Sequence, residues 1–465
     1  MYLKLVRLFI VLSVIIGSAY SCRNDQLDDI TNSGKISEVR NFDSEVPLAW
    51  YNIFLEIDRF SQGYAPPAAA RLLAYVGLAA YEALAPGMPE YQSLAGKFPG
   101  LTLPKTEAGI EYHWPTVLNS TYHNTFKKFY PHISQAYLDK MEAMDKRITS
   151  GFSLKIPGDI LFRSAQRGRD IADAIYAWSL TDETGHWGFK NPQPADYNPP
   201  KGPGKWKPTP PDFSRALFPY WSAVRPFALG NEEIIGRPVQ YWVSEFSEDP
   251  KSDFYKQADE VYRMNSPQKD SLQWIGEYWS DDIFEQTFET AARWISISNQ
   301  CVKAQQSNLE TSVLLYAKMG MALCDASIVV WKTKYAYNVE CPVSYINRII
   351  DPAWKPSLDN TITGMSGITP AYPAYPSAHA GFAGAATAVL STTYGSEFAM
   401  SDKSHELRTE FKSKPRTYQS FEEMAKENAL SRLYLGVNYR MDTEEGLDIG
   451  NRVALMVNAL PWKKQ

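Results

Sequence analysis

Tyr375-Pro376-Ser377-Ala378-His379-Ala380-Gly381 leads into Phe382-Ala383-Gly384-Ala385-Ala386, and this stretch decides how the rest of the chain is read. Proline is tolerated at a helix start and serine is a favoured N-cap, so Ser377 is placed at the N-terminus of a helix and His379 in its first turn. Backbone N–H groups at a helix N-terminus point outward and its dipole favours negative charge, which makes the position suited to an anion. Alanine and glycine on such a helix allow close packing against its neighbours.

Two further segments flank this one. Upstream, Lys334-Tyr-Ala-Tyr-Asn-Val-Glu-Cys341-Pro342 closes an apolar helical run that contains Asp325 and Trp331. Downstream, Ser431-Arg432-Leu-Tyr-Leu-Gly436-Val-Asn438-Tyr-Arg-Met-Asp442 places Asn438 and Asp442 four apart and so on one helix face, with the acid facing residue 438.

Outward from these segments, Pro66-Pro67 and the alanines after them read as a helix start, with Leu72, Leu73, Val76, Ala80 and Leu84 at helical spacing. Residues 280–305, 309–334, 377–392 and 420–458 carry the same periodicity, without strand-like alternation. The expected class is all-α. Residues 191–211 are crowded with proline and glycine, so they read as an ordered loop against which Tyr197 and Trp206 pack.

The 465 residues suffice for one large helical unit or two packed halves, here 46–230 with the Pro/Gly-rich loop and 231–465 with the three segments. The formal net charge of −5 gives no reason to expect nucleic acid as a partner. At the N-terminus, Lys4 and Arg7 precede the apolar run Leu8 to Ile16, and small residues lead up to Cys22. The run is well short of the roughly 20 residues of a membrane span, so residues 1–21 read as a signal peptide. Cys22 resembles a bacterial lipoprotein cleavage and lipidation site, with ordinary secretion as the alternative. Polar residues 22–45 then form a tether, and the chain is expected at the periplasmic or cell surface of a Gram-negative-type envelope, held by lipid in the inner or outer membrane. Cys301, Cys324 and Cys341 are odd in number, so no disulfide framework holds the fold, and none of the cysteines has metal-site spacing. His113, His123, His132, His186 and His405 show no ligand pairing and are given no function.

Together the three segments resemble the signature of the vanadium haloperoxidase and type 2 phosphatidic acid phosphatase superfamily. That signature runs Lys, six residues, Arg-Pro; then Pro-Ser-Gly-His; then Ser-Arg, five residues, His, three residues, Asp. Lys334, Pro342, Pro376, Ser377, His379, Ser431, Arg432 and Asp442 fall where it expects them. Residues 63–71 and 202–211 also look like stretches of bacterial haloperoxidase-like lipoproteins. The resemblance implies a large helical bundle, with vanadate as cofactor where family activity persists, and dimerisation as in many such chains. It implies an oxyanion cradle from Lys334, Ser377, Ala378, Arg432 and the arginine position now held by Cys341. His379 would act as acid and base, and Asp442 would orient the residue at 438.

The sequence departs from the signature at three positions. Ala378 keeps the backbone N–H of the family glycine. Cys341 replaces a fixed positive charge with a thiol. Asn438 replaces the histidine that attacks phosphorus or binds vanadium, and a carboxamide nitrogen has no available lone pair. Three readings follow: a degenerate or binding protein with an oxyanion-sized pocket for a small anion or small organic molecule; a vanadate-independent enzyme using Lys334 and His379 as acid and base; or a weak haloperoxidase oxidising halide with peroxide. For Cys341 the choice lies between a thiolate activated by Lys334, Arg432 and a helix N-terminus and a residue tolerated after loss of activity. Plainer alternatives also stand: His379 as a packed helix-start histidine, Lys334 as a surface lysine, and Arg432 and Asp442 as an ion pair or helix cap.

Overall fold

The computed structural model describes residues 37–464, apart from 62, 108, 231–232, 244, 266–269, 282, 284, 407 and 410–412. The signal-peptide and Cys22 lipidation expectations therefore lie outside the described residues.

The described chain is helical, as its periodicity indicated. Its long helices are α1 (Glu45–Asp58), α2 (Pro66–Leu84), α3 (Trp114–Phe129), α4 (Gln135–Ser153) and α5 (Gly158–Leu180) in the first part. After the short α6 (Glu183–Trp187) come α7 (Asp253–Met264), α8 (Asp270–Tyr278), α9 (Thr290–Ala304), α10 (Leu309–Tyr337), α11 (Pro342–Ile349), α12 (Ala378–Tyr394), α13 (Phe421–Tyr434) and α14 (Arg440–Asn458). Among the described residues the one pair of strands is short and antiparallel, β1 (Met400–Asp402) with β2 (Arg416–Tyr418), and the all-α reading holds.

Helices α2 and α10 form the centre of the bundle. Both are long and apolar enough to cross a membrane, yet their apolar windows are 100% and 89% buried inside the protein, so they are core helices here. Their close crossing depends on absent side chains: a methyl group on Gly320 would run into the backbone at Leu73 and Ala74. Helix α12 packs equally closely on α14, where a methyl on Gly446 would meet the Ser377 carbonyl and one on Gly450 the Gly381 carbonyl. These contacts fix the N-terminus of α12 against the N-terminal half of α14.

Three details differ from the sequence reading. Packing begins ahead of Val46, because Val39 is fully buried and Trp114 Nε1 donates to the Ser37 carbonyl at 2.7 Å. The periodic stretch 280–305 is helical only from Thr290, and residue 281 runs as irregular backbone toward α12. The stretch 420–458 breaks between α13 and α14, where Gly436 takes φ +79°, a conformation that side chains disfavour.

The proline-rich loop is irregular and packed. Trp206 is buried, its backbone N–H donates to Asn338 O at 2.8 Å, and Glu340 N donates back to Gly204 O at 2.9 Å. Tyr197 Oη donates to Asn338 Oδ1 at 3.2 Å. The loop thereby covers the turn that joins Lys334 to Cys341.

Candidate functional site

Lys334 lies in the last turn of α10 with no exposed surface. Its Nζ donates to Pro373 O at 2.7 Å and Ala374 O at 3.1 Å, and sits 4.5 Å from the centre of the Tyr372 ring. The side chain thus points inward, not to the surface, and its donors are spent on the backbone that approaches α12. Burial brings its pKa down to about 7, opposed chiefly by Asp442.

Cys341 is the N-cap residue of α11 and is buried beside the same segment, its thiol 3.5 Å from Tyr372 O. Burial pushes the thiol up to about 12, and nearby Lys334 only partly offsets it. The alternative of a thiolate activated by its neighbours does not fit this burial, because lost hydration of the charged form outweighs the attraction.

Asn438 falls in the turn between the helices, not on a helix face with Asp442. Tyr439 is the N-cap of α14, and Asp442 in the first turn reaches back to accept its N–H at 2.8 Å. The two residues meet nevertheless. Asn438 Nδ2 donates to Asp442 Oδ2 at 3.0 Å and to Ala374 O at 2.8 Å. Asp442 is fully buried, its Oδ1 has no hydrogen-bond partner among the described residues, and burial raises its carboxyl to about 7.

Ser377 caps α12, its hydroxyl accepting the Ala380 N–H at 3.4 Å, while its own N–H donates to Asp442 O at 2.8 Å. Ala378 follows as the first helical residue, with a negative φ that any side chain accepts. His379 Nε2 lies 3.2 Å from Asp281 O and 3.4 Å from Thr290 Oγ1. A carbonyl only accepts, so the ring proton belongs on Nε2. Burial, then Arg432, hold this histidine well below its ordinary pKa, and it is neutral.

Arg432, in the last turn of α13, is buried and lines a cavity of about 220 Å³ together with Asp281, Tyr372, Asp212, Asn360 and Thr369. Lys334, Cys341, His379, Asn438 and Asp442 are not among its lining residues. A larger cavity of about 350 Å³, around Phe60, His132 and Tyr137, is unconnected with these side chains. Of Lys334, Cys341, His379, Arg432, Asn438 and Asp442, only Arg432 lines the cavity.

Asp281 and Thr290, which hold His379, carry no motif and were not picked out by sequence. Behind Asp281, Arg293 is buried between Asp281 at 3.3 Å and Asp402 at 2.8 Å, with His405 in contact. The five other histidines form no cluster able to hold a metal among the described residues. Cys301, Cys324 and Cys341 are all buried free thiols.

Comparison with known proteins agrees with the helical fold. A family model described as the VCPO second helical-bundle domain matches residues 314–460, which contain all three segments. Among solved structures, a bacterial vanadium-dependent iodoperoxidase is 28% identical, covers 91% of this chain and 98% of its own, and superposes with a TM-score of 0.77. A bacterial vanadium-dependent chloroperoxidase shares the fold in its holo form, at 13% identity over 90% of this chain and 98% of its own, with a TM-score of 0.65. No curated protein sequence matches. With three signature segments in order and a helical body that superposes over nearly its whole described length, the chain has the fold of the vanadium-dependent haloperoxidases, and residues 314–460 match the VCPO second helical-bundle domain.

Proposed function

We propose that this is a haloperoxidase-fold protein whose oxyanion cradle has closed on its own backbone. It neither holds vanadate nor passes phosphate through a histidine. What it keeps is the cavity beside Arg432, of mixed polar and apolar lining and sized for a small anion or small organic molecule.

The observation that carries this reading is the commitment of Asn438. Both hydrogens of its Nδ2 are spent, one on Ala374 O and one on Asp442, and that nitrogen has no lone pair to give. The neighbouring positions agree. Lys334 is turned to two carbonyls, and Cys341 is a neutral thiol where the family has a cation. A charge-assisted hydrogen bond of the kind an arginine makes is worth about 1.5–3 kcal/mol, and none is available from residue 341. These residues do not fit a bound vanadate.

The acid–base reading draws on Lys334, which burial brings to about 7. It is the weaker reading because neither Lys334 nor His379 lines the cavity where a substrate would sit.

The test is halide oxidation by the purified chain with peroxide and vanadate, beside the Asn438→His, Cys341→Arg double variant. The parent is expected to be inert, and the double variant to gain vanadate-dependent turnover. Vanadate-dependent turnover by the parent refutes the proposal.

A further inference from the structure

The side chains that spoil the cradle for vanadate form a different reactive set: a buried primary amine, a buried carboxamide and a buried carboxyl. Lys334 and Asp442 have no exposed surface and Asn438 is 7% exposed. Lys334 Nζ and Asn438 Nδ2 donate to one and the same oxygen, Ala374 O, at 3.1 and 2.8 Å. Asp442 Oδ2 lies 3.0 Å from Asn438 Nδ2, while its Oδ1 has no hydrogen-bond partner among the described residues.

We propose that Lys334 and Asn438 become joined by an amide cross-link, with Asp442 carrying the proton. The neutral amine attacks Cγ of Asn438, so that a Nζ–Cγ bond forms. The Asp442 carboxyl gives its proton to Nδ2, and the proton shed by the nitrogen now bonded to Cγ restores the acid. The Cγ–Nδ2 bond breaks and ammonia leaves. The atoms balance with no oxidant, metal or co-reactant. The product is an amide where there were an amine and a carboxamide.

The arrangement meets the chemical needs of that step. The amine must be unprotonated, and burial favours this by bringing Lys334 down to about 7. The acid must hold a proton, and burial favours that by bringing Asp442 up to about 7. In a site of low dielectric the neutral amine and neutral acid are favoured over the charged pair. The carboxyl stands against the leaving nitrogen, where a general acid is needed. Holding the reactants together removes the entropy cost of their meeting, and burial keeps water from competing for the carbonyl carbon. The cross-link would tie the end of α10 to the turn before α14, enclosing more than a hundred residues of chain and restricting the unfolded state as a disulfide does. It concerns the cluster behind the cavity and does not depend on what the cavity binds.

The decisive measurement is a tryptic peptide map of the purified chain. If the bond exists, trypsin fails to cut after Lys334, and Thr333–Arg348 is recovered joined to Leu433–Arg440, lighter by one ammonia than the two peptides together. Recovery of Leu433–Arg440 as a free peptide in full yield overturns the proposal, whether residue 438 in it is asparagine or its hydrolysed form. Asp442→Asn and Lys334→Arg are expected to give only free peptides, and a branched peptide from either variant also overturns it. Should either variant fail to fold, the parent map alone decides. Halide oxidation by the parent would refute the reading of the cavity without touching this one, and the map bears only on the bond.

Discussion

Cys341 shows how a single side chain reads differently in sequence and in place. Beside a lysine and ahead of a proline-started helix, it has the local setting of an activated thiol. In the folded chain it is 2% exposed, it faces Tyr372 O, and burial lifts it to about 12. It should therefore resist iodoacetamide in the native protein at neutral pH and react only after denaturation, as should Cys301, also raised to about 12. Mass spectrometry of alkylated peptides checks this, and rapid native labelling at Cys341 would restore the reactive-thiol reading. What sequence supplies is the identity of the neighbours. Burial is set by Trp206 and the 372–374 backbone, which reach Cys341 from distant parts of the chain, so the sign of the shift was not legible there. Asn438 is the opposite case. Its lack of a lone pair follows from chemistry alone, and the structure adds only where its hydrogens go.

At the scale of elements, the residues of the site owe their meeting to the α12–α14 contact. Gly381, Gly384, Gly446 and Gly450 let the two backbones touch, which brings Ser377 N to Asp442 O at 2.8 Å. Gly450→Ala forces a methyl group against the Gly381 carbonyl. Overpacking of this kind typically costs about 1–3 kcal/mol. We expect a lower Tm and an earlier urea midpoint for Gly450→Ala, whereas Gly395→Ala, which meets no neighbour but sits at φ +92°, tests backbone strain alone. Equal stability of Gly450→Ala and the parent would show that the helices separate at no cost. The helix α12 and its cap were legible because Pro-Ser followed by alanines is a local signal. The break at Gly436 was not, since helical periodicity runs through it, and only the cap formed by Asp442 on Tyr439 N marks the true start of α14. The same holds for residue 281, whose apolar surroundings resemble the helix that follows.

For the whole molecule, burial of titratable groups on both sides of neutrality shapes stability against pH. His113 and His186 are held down to about 4 by burial, so between pH 6.5 and about 4 the unfolded chain binds protons that the folded one does not, and acid destabilises. Glu82 and Asp325 are raised to about 7 by burial, so over much of the same window the folded chain binds the extra protons, and acid stabilises. A carboxyl raised in this way contributes stability that is complete below its unfolded pKa and is lost as pH rises through about 7. The two sets oppose each other, each group acting with a slope of about 1.4 kcal/mol per pH unit. Glu82 is a good place to separate them, because its carboxylate accepts the Leu94 N–H at 2.7 Å and a glutamine oxygen can accept the same bond. Glu82→Gln removes one acid-stabilised group and leaves the histidines. Urea midpoints measured from pH 7 down to about pH 4.5 should therefore fall more steeply for the variant than for the parent. Parallel profiles would mean that Glu82 titrates alike in the folded and unfolded chains and that its burial carries no proton linkage.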